Sequence, residues 1–139
     1  MSKKRTIVLF KPDSIGIWGE ILTFLEKEDL AVIGAKTVML DRSFLKKWYC
    51  HLVDKPFFSS ELVPYMTSGL ILALVIEGEE AIERVRQLVG PTDPKDCVSN
   101  QIRSHGKDRM RNLIHCSDSM KSFFREYNLL RSLKTPVIF

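Results

Sequence analysis

The chain has 139 residues, 45% hydrophobic and 27% charged, with a net charge of +4. That is the size and balance of one folded domain, and no apolar run approaches the roughly 18–20 residues that a membrane span requires. Its three cysteines, Cys50, Cys97 and Cys116, are odd in number and lack C-x-x-C spacing, which argues against a disulfide framework or structural zinc and for a reducing compartment, the cytoplasm.

Arg5 to Phe10 (RTIVLF) is β-branched and aliphatic and predicts a buried strand. The basic start leads straight into it with no cleavage site, so no signal peptide is read. Lys11-Pro12-Asp13 stops the strand, because proline cannot continue a central ladder, and leaves Lys11 at a strand end facing a turn. From Gly16 to Glu28 the spacing of Trp18, Ile21, Leu22 and Leu25 predicts a helix, which Asp29 ends. Leu30 to Leu40 reads as a second strand, and Asp41 to Leu52 as a helix with Phe44, Leu45, Trp48 and Tyr49 on one side. Asp54 to Phe58 is a turn closing on two adjacent phenylalanines. Neighbours one residue apart point in different directions, so one can enter the core while the other stands free to stack on a flat ligand. Ser59 is expected to cap a short helix to Met66 that carries Leu62 and Tyr65.

Gly69 to Ile76 (GLILALVI) is the most hydrophobic strand, with Gly78 expected to end it. Glu79 to Val89 predicts an amphipathic helix with Ile82, Val85 and Val89 inward and Arg84 and Arg86 at its margins. Gly90 to Arg111 breaks every period. Loops this long are usually functional, and Lys95, Arg103, Lys107, Arg109 and Arg111 suggest that this one covers an anion. Next comes Asn112-Leu113-Ile114-His115-Cys116-Ser117-Asp118-Ser119, a histidine ending an apolar run before small oxygen-bearing residues that can open a helix. A helix from Ser119 puts Glu126 two turns on, where a carboxylate can return toward the imidazole and fix its tautomer. That is how a histidine becomes a nucleophile. The helix is expected to end near Leu130, with Arg131 to Phe139 a tail.

Strands and helices in this order predict an α+β chain on the ferredoxin-like βαββαβ plan, an antiparallel sheet with helices on one face, plus additional helices and a long lid loop. Residues 1–139 read as a single domain. The glycine-rich phosphate cradles G-x-x-x-x-G-K-[ST] and G-x-G-x-x-G are absent, as are H-E-x-x-H and G-x-S-x-G. A nucleotide would therefore have to be held by side chains, namely Lys11, Arg86, Arg103 and Thr92, since guanidinium forks match phosphate oxygens.

The stretches KPD (Lys11–Asp13), KPFF (Lys55–Phe58), YMTSG (Tyr65–Gly69), GPTDP (Gly90–Pro94), IR (Ile102–Arg103) and NLIHCSDS together resemble the nucleoside diphosphate kinase family, from about Arg5 to Glu126. The resemblance implies ping-pong transfer of a γ-phosphate from a nucleoside triphosphate to a nucleoside diphosphate through a phosphohistidine at His115, with Glu126 orienting it. It implies Lys11 and Asn112 at the sugar hydroxyl and nearby phosphate oxygen, and Tyr49 beside the histidine. Phe57 would stack on the base with Leu62 near it, and Arg86, Thr92 and Arg103 would clamp the phosphates. Mg²⁺ would be held through those phosphates, with no protein metal ligand. A homo-oligomer is implied, hexamer favoured over tetramer, while a membrane or nucleic-acid partner is not. A competing reading is an inactive or catalytically weak relative serving as a nucleotide- or nucleic-acid-binding interaction module.

The chain also departs from the family pattern. The segment after Asp13 is about two residues short and lacks the arginine that would pair with Asp118. Lys55 replaces an arginine, Glu61 or a neighbour is inserted, Ser104 replaces a glycine, and the loop to Asn112 is one residue short.

Overall fold

The computed structural model describes residues 3–133. The run after the basic start forms β1, Lys3–Phe10, buried from Thr6 onward. Alternate residues point to opposite faces of a strand, so Ile7 and Leu9 enter one core while Val8 and Phe10 enter another across the sheet. Such a strand belongs in the middle. Its neighbours are β3, Ile71–Glu79, along its full length and the short β4, Ile114–Cys116, on its other edge. With β2, Ala31–Val38, outside β3, the sheet is antiparallel in the order β2-β3-β1-β4. This is the ferredoxin-like plan expected from the order of elements.

The expectation of helices on one face is corrected. Helices α1, Trp18–Lys27, and α4, Ala81–Val89, pack Ile21, Leu25 and Val85 against the Val8 and Phe10 face. Helices α2, Arg42–Trp48, α3, Val63–Met66, and α5, Met120–Arg131, cover the other face with Phe44, Trp48, Met66 and Phe123. The reason lies in β1 and β3, which are apolar on both sides. An uncovered second face would leave Ile7, Leu9 and Ile71 in water, at about 1.5–3 kcal/mol each.

Boundaries move where backbone partners decide them. β1 starts at Lys3 and β3 runs through Gly78 to Glu79, because Lys3 pairs with Glu79 and Lys4 with Gly78. Gly78 therefore does not end the strand. It is glycine because a Cβ there would sit 2.8 Å from the Leu30 side chain. The first helix begins at Trp18, after a 3-10 turn over Pro12–Ile17. Asp41 caps α2 by accepting from the Phe44 N–H, and the helix gives way at Tyr49 to a 3-10 turn, Cys50–Leu52. α4 starts at Ala81, after Glu80 turns the chain with φ 50°.

Ser59 does not cap a helix. Phe58–Leu62 is a π-turn continuous with α3, in which the Val63 N–H reaches back to the Phe58 carbonyl, and the Ser59 hydroxyl accepts from Arg42 instead. The Gly90–Arg111 loop contains 3-10 turns at Pro94–Asp96 and Ile102–His105 and is otherwise irregular. Arg131 is the last residue of α5, and the rest of the expected tail from 134 lies outside the described residues.

Candidate active site

β4 is three residues long, yet it fixes the histidine. Val8 pairs with Cys116, Leu9 with His115 and Phe10 with Ile114. Ile114 and Cys116 enter the core beneath α4, so alternation turns His115 to the opposite face, toward α2 and α5. The Ser119 hydroxyl caps α5 by accepting from the Ser122 N–H at 3.1 Å. Two turns later Glu126 is buried, 5% exposed, and its Oε2 lies 2.9 Å from His115 Nε2. Ser117 donates to the other oxygen, Oε1, at 2.7 Å, while its own oxygen accepts from the Ile7 N–H at 3.0 Å. A carboxylate facing Nε2 makes that nitrogen the protonated one, leaving the Nδ1 lone pair. Trp48 packs against the imidazole, ring centroids 5.3 Å apart and planes at 70°.

Lys11 is not a solvated lysine: it is 6% exposed. Its Nζ donates to Asn112 Oδ1 at 2.7 Å and to the Met110 carbonyl at 3.2 Å. Burial first, and the Arg103 charge second, lower its pKa to about 8. Asn112 spends its amide on the Thr92 and Arg109 carbonyls, both at 3.0 Å, thereby tying the two ends of the long loop together. The loop can close so tightly because Gly106 lies against Asn112, where a Cβ would come within 2.7 Å of its Cα. Arg103 donates to the Ile114 and Gly90 carbonyls at 3.1 and 3.0 Å, which leaves part of its fork free. Burial lowers its pKa, but from so high a start the group remains a cation.

These groups line one cleft of about 1340 Å³, which also receives Tyr49, Phe57, Leu62, Arg86 and Thr92. Every site residue named from the sequence is in it. Burial, and then the Glu126 charge, hold the Tyr49 hydroxyl well above its ordinary pKa, so it stays protonated there. Of the adjacent phenylalanines, Phe58 enters the core at 1% exposed and Phe57 is half-buried on the cleft wall. Leu62 is nearly all core, touching the cleft from beneath. Lys55 stands exposed and is not on the cleft wall.

Sequence reasoning missed several supporting residues. In the sequence Trp48 shows only as one side of a helix, and Ser117 only as part of a cap. Tyr65 donates to Asp13 at 2.5 Å and lies under the Arg111 guanidinium, which pins the turn after Lys11. No arginine forms an ion pair with Asp118 among the described residues. Instead Ser122 donates to it at 2.5 Å, and that bond above all keeps its carboxyl below the usual range. Only the i, i+4 spacing of Asp118 and Ser122 could have signalled this pair.

The chain is similar to known proteins along nearly its whole length. A family model described as nucleoside diphosphate kinase matches residues 4–134. A nucleoside diphosphate kinase of Methanosphaera stadtmanae is 45% identical over 130 residues, 91% of this chain and 85% of that protein. One from Sulfurisphaera tokodaii is 40% identical, covering 96% of this chain and 97% of the relative. Among solved structures, a halophilic nucleoside diphosphate kinase from Halobacterium salinarum in complex with CDP superposes with a TM-score of 0.88 at 38% identity, over 99% of this chain and 93% of that one. The Aquifex aeolicus nucleoside diphosphate kinase gives a TM-score of 0.85 at 36% identity, over 93% and 95%. Matched along nearly its whole length in both sequence and fold, the chain belongs to the nucleoside diphosphate kinase family.

Proposed function

We propose that this chain is an active nucleoside diphosphate kinase, a single domain over residues 1–139. The observation that carries the reading is the His115–Glu126 pair, with Nε2 engaged at 2.9 Å and Nδ1 left without a partner among the described residues, in the cleft that Lys11, Arg86 and Arg103 line. In the first half-reaction Nδ1 attacks the γ-phosphorus and the bond to the bridging oxygen breaks. The departing diphosphate carries away the electron pair, and Nε2 keeps its proton, which it donates in a hydrogen bond to Glu126. In the second, a β-phosphate oxygen of another diphosphate attacks the same phosphorus and His115 is restored.

Little covalent work falls to the protein beyond this. Positioning and charge stabilisation dominate, with Lys11, Arg86, Arg103 and Thr92 aligning the phosphates and Tyr49 packing beside the reacting group. Lys11 and Asn112, already joined, would receive the sugar hydroxyl, and Phe57 over Leu62 the base. Among the described residues no three His, Cys, Asp or Glu side chains gather as metal ligands. Mg²⁺ would come with the nucleotide, held through its phosphate oxygens beside Lys11, Arg86 and Arg103, and would supply additional neutralisation of the polyphosphate. The solved CDP complex of the Halobacterium protein supports a nucleotide in this cleft. A non-catalytic binding module has no observation in its favour.

We read the enzyme as cytoplasmic and homo-oligomeric, hexamer favoured over tetramer. Incubation with γ-labelled ATP and Mg²⁺ should give an acid-labile, base-stable phosphoprotein that a second diphosphate discharges. The assignment fails if His115→Ala labels as well as wild type.

A further inference from the structure

The imidazole of His115 stands between two helices. From α5 the Glu126 carboxylate takes Nε2 at 2.9 Å, and from α2 the Trp48 ring packs against it, centroids 5.3 Å apart. Trp48 is in turn stacked on Phe44, one turn back along α2, with centroids 5.6 Å apart and planes at 28°. It is also the last residue of that helix, and Tyr49, which follows it, lines the cleft. The end of a helix is its least constrained part, because its last carbonyls have no partner within it. Two groups of the site therefore hang from a terminus that needs an outside hold.

Arg125 supplies one. It precedes Glu126 on α5, and its Nη2 donates to the carbonyls of both Lys47 and Trp48, the latter at 3.0 Å. The same nitrogen reaches Cys50 Sγ at 3.6 Å, just past the helix end. A cation there also meets the negative end of the α2 dipole. These contacts close a circuit. It runs from His115 to Glu126, along the backbone to Arg125, across to the Trp48 carbonyl, and through the Trp48 side chain back to His115. Among the described residues, the Arg125 bonds are the only hydrogen bonds that join α2 to α5. We propose that Arg125 is a positioning residue for phosphoryl transfer, fixing the end of α2 against α5 and so holding the His115 imidazole at the angle from which Nδ1 meets the phosphorus. This rests on the kinase reading and deepens it, adding a residue that acts through Trp48 and Glu126 rather than on the substrate.

The test is single-turnover phosphorylation of His115 in wild type, Arg125→Ala and Arg125→Lys, with two donors. One is saturating ATP with Mg²⁺. The other is phosphoramidate, which carries no nucleoside: the same Nδ1 attacks its phosphorus, the P–N bond breaks and ammonia leaves. Arg125→Ala is expected to slow both reactions by the same factor, about 10- to 100-fold, as a misplacement of about 1 Å can cost. The dissociation constant for ATP should be unchanged. Arg125→Lys should recover most of the rate, because all the contacts come from one nitrogen and an ammonium has the N–H groups to replace it. A loss confined to ATP, or one that falls in its dissociation constant, would make Arg125 a nucleotide ligand and overturn the proposal. So would an unchanged rate in Arg125→Ala, or a lysine variant as slow as the alanine one. Rates are read on protein that circular dichroism shows to be folded, and Arg125→Met takes the place of the alanine variant if that one unfolds. If neither donor labels wild type, the kinase reading itself falls, whereas if wild type and variants are labelled alike, only the positioning role is lost.

Discussion

At the residue scale the site depends on both oxygens of Glu126 being occupied, one by His115 and one by Ser117. Glu126→Gln keeps the size but can present its N–H₂ to Nε2, which selects the wrong tautomer and removes the Nδ1 lone pair. We expect kcat to fall about 10²–10⁴-fold with little change in nucleotide KM, checked by stopped-flow phosphorylation monitored through Trp48, whose ring meets His115. Ser117→Ala acts mainly on stability. It strands the buried Ile7 N–H, at about 1–3 kcal/mol, and urea unfolding should register that loss. Lys11 makes a pH prediction. With its pKa lowered to about 8, the folded chain releases this proton before the unfolded chain does. Stability from this group therefore rises with pH from about 8 to 10.5, while free-enzyme kcat/KM falls as the cation is lost through about 8. Bound phosphate favours the ammonium, so the corresponding limb in kcat lies at higher pH. A kcat/KM profile flat across this range would contradict the role. His115, Glu126 and Lys11 were legible because short spacings carry them. Trp48, Ser117 and Tyr65 were not, because each acquires its role from a partner far along the chain, which periodicity does not report.

At the scale of elements, strands and helices were readable where one pattern filled one element, as in Ile82, Val85 and Val89 of α4. The second helical layer was not, since nothing in a helix's own period says which sheet face it covers. The segment from Phe58 to Leu62 is the most informative case. One additional residue in a helix, as the resemblance implies at Glu61 or a neighbour, would be absorbed by widening one turn to an i→i+5 bond such as the one from the Val63 N–H to the Phe58 carbonyl. That turn lies between Phe57 and Leu62, so it sets the phase of the stacking ring relative to the core. Deleting Glu61 should restore an ordinary helix and rotate Phe57 by roughly 100° about its axis. The variant should fold with an unchanged or higher melting temperature, while nucleotide KM rises about tenfold, as loss of one base–aromatic stack predicts. Wild-type KM in a folded deletion variant would show that the π-turn does not position the ring.

At the scale of the molecule, the strand order sets the cleft apart from the open edge of the sheet. The cleft gathers at β1, β4 and the helices beside them, whereas β2 is the far edge of the sheet. Its outer backbone groups have no partner strand among the described residues. Val32 and Ile33 are 40% and 46% exposed, and a bulge falls between Val32 and Gly34. An apolar edge of this kind is a liability in a monomer and an interface in an oligomer. A second copy pairing antiparallel along β2 would satisfy those groups and cover both side chains at once. Ile33→Lys places a charge in such an interface without touching β3 pairing, because Ile33 is skipped in the register. Light scattering should find the variant shifted to a smaller species than wild type, with phosphohistidine formation preserved in the released subunits. A wild type that is monomeric at all concentrations, or a variant with the full assembly intact, would exclude this edge as the contact. If the small species forms but loses labelling, the cleft must draw support from a neighbouring copy, and the separation of edge and site argued from the strand order would be wrong.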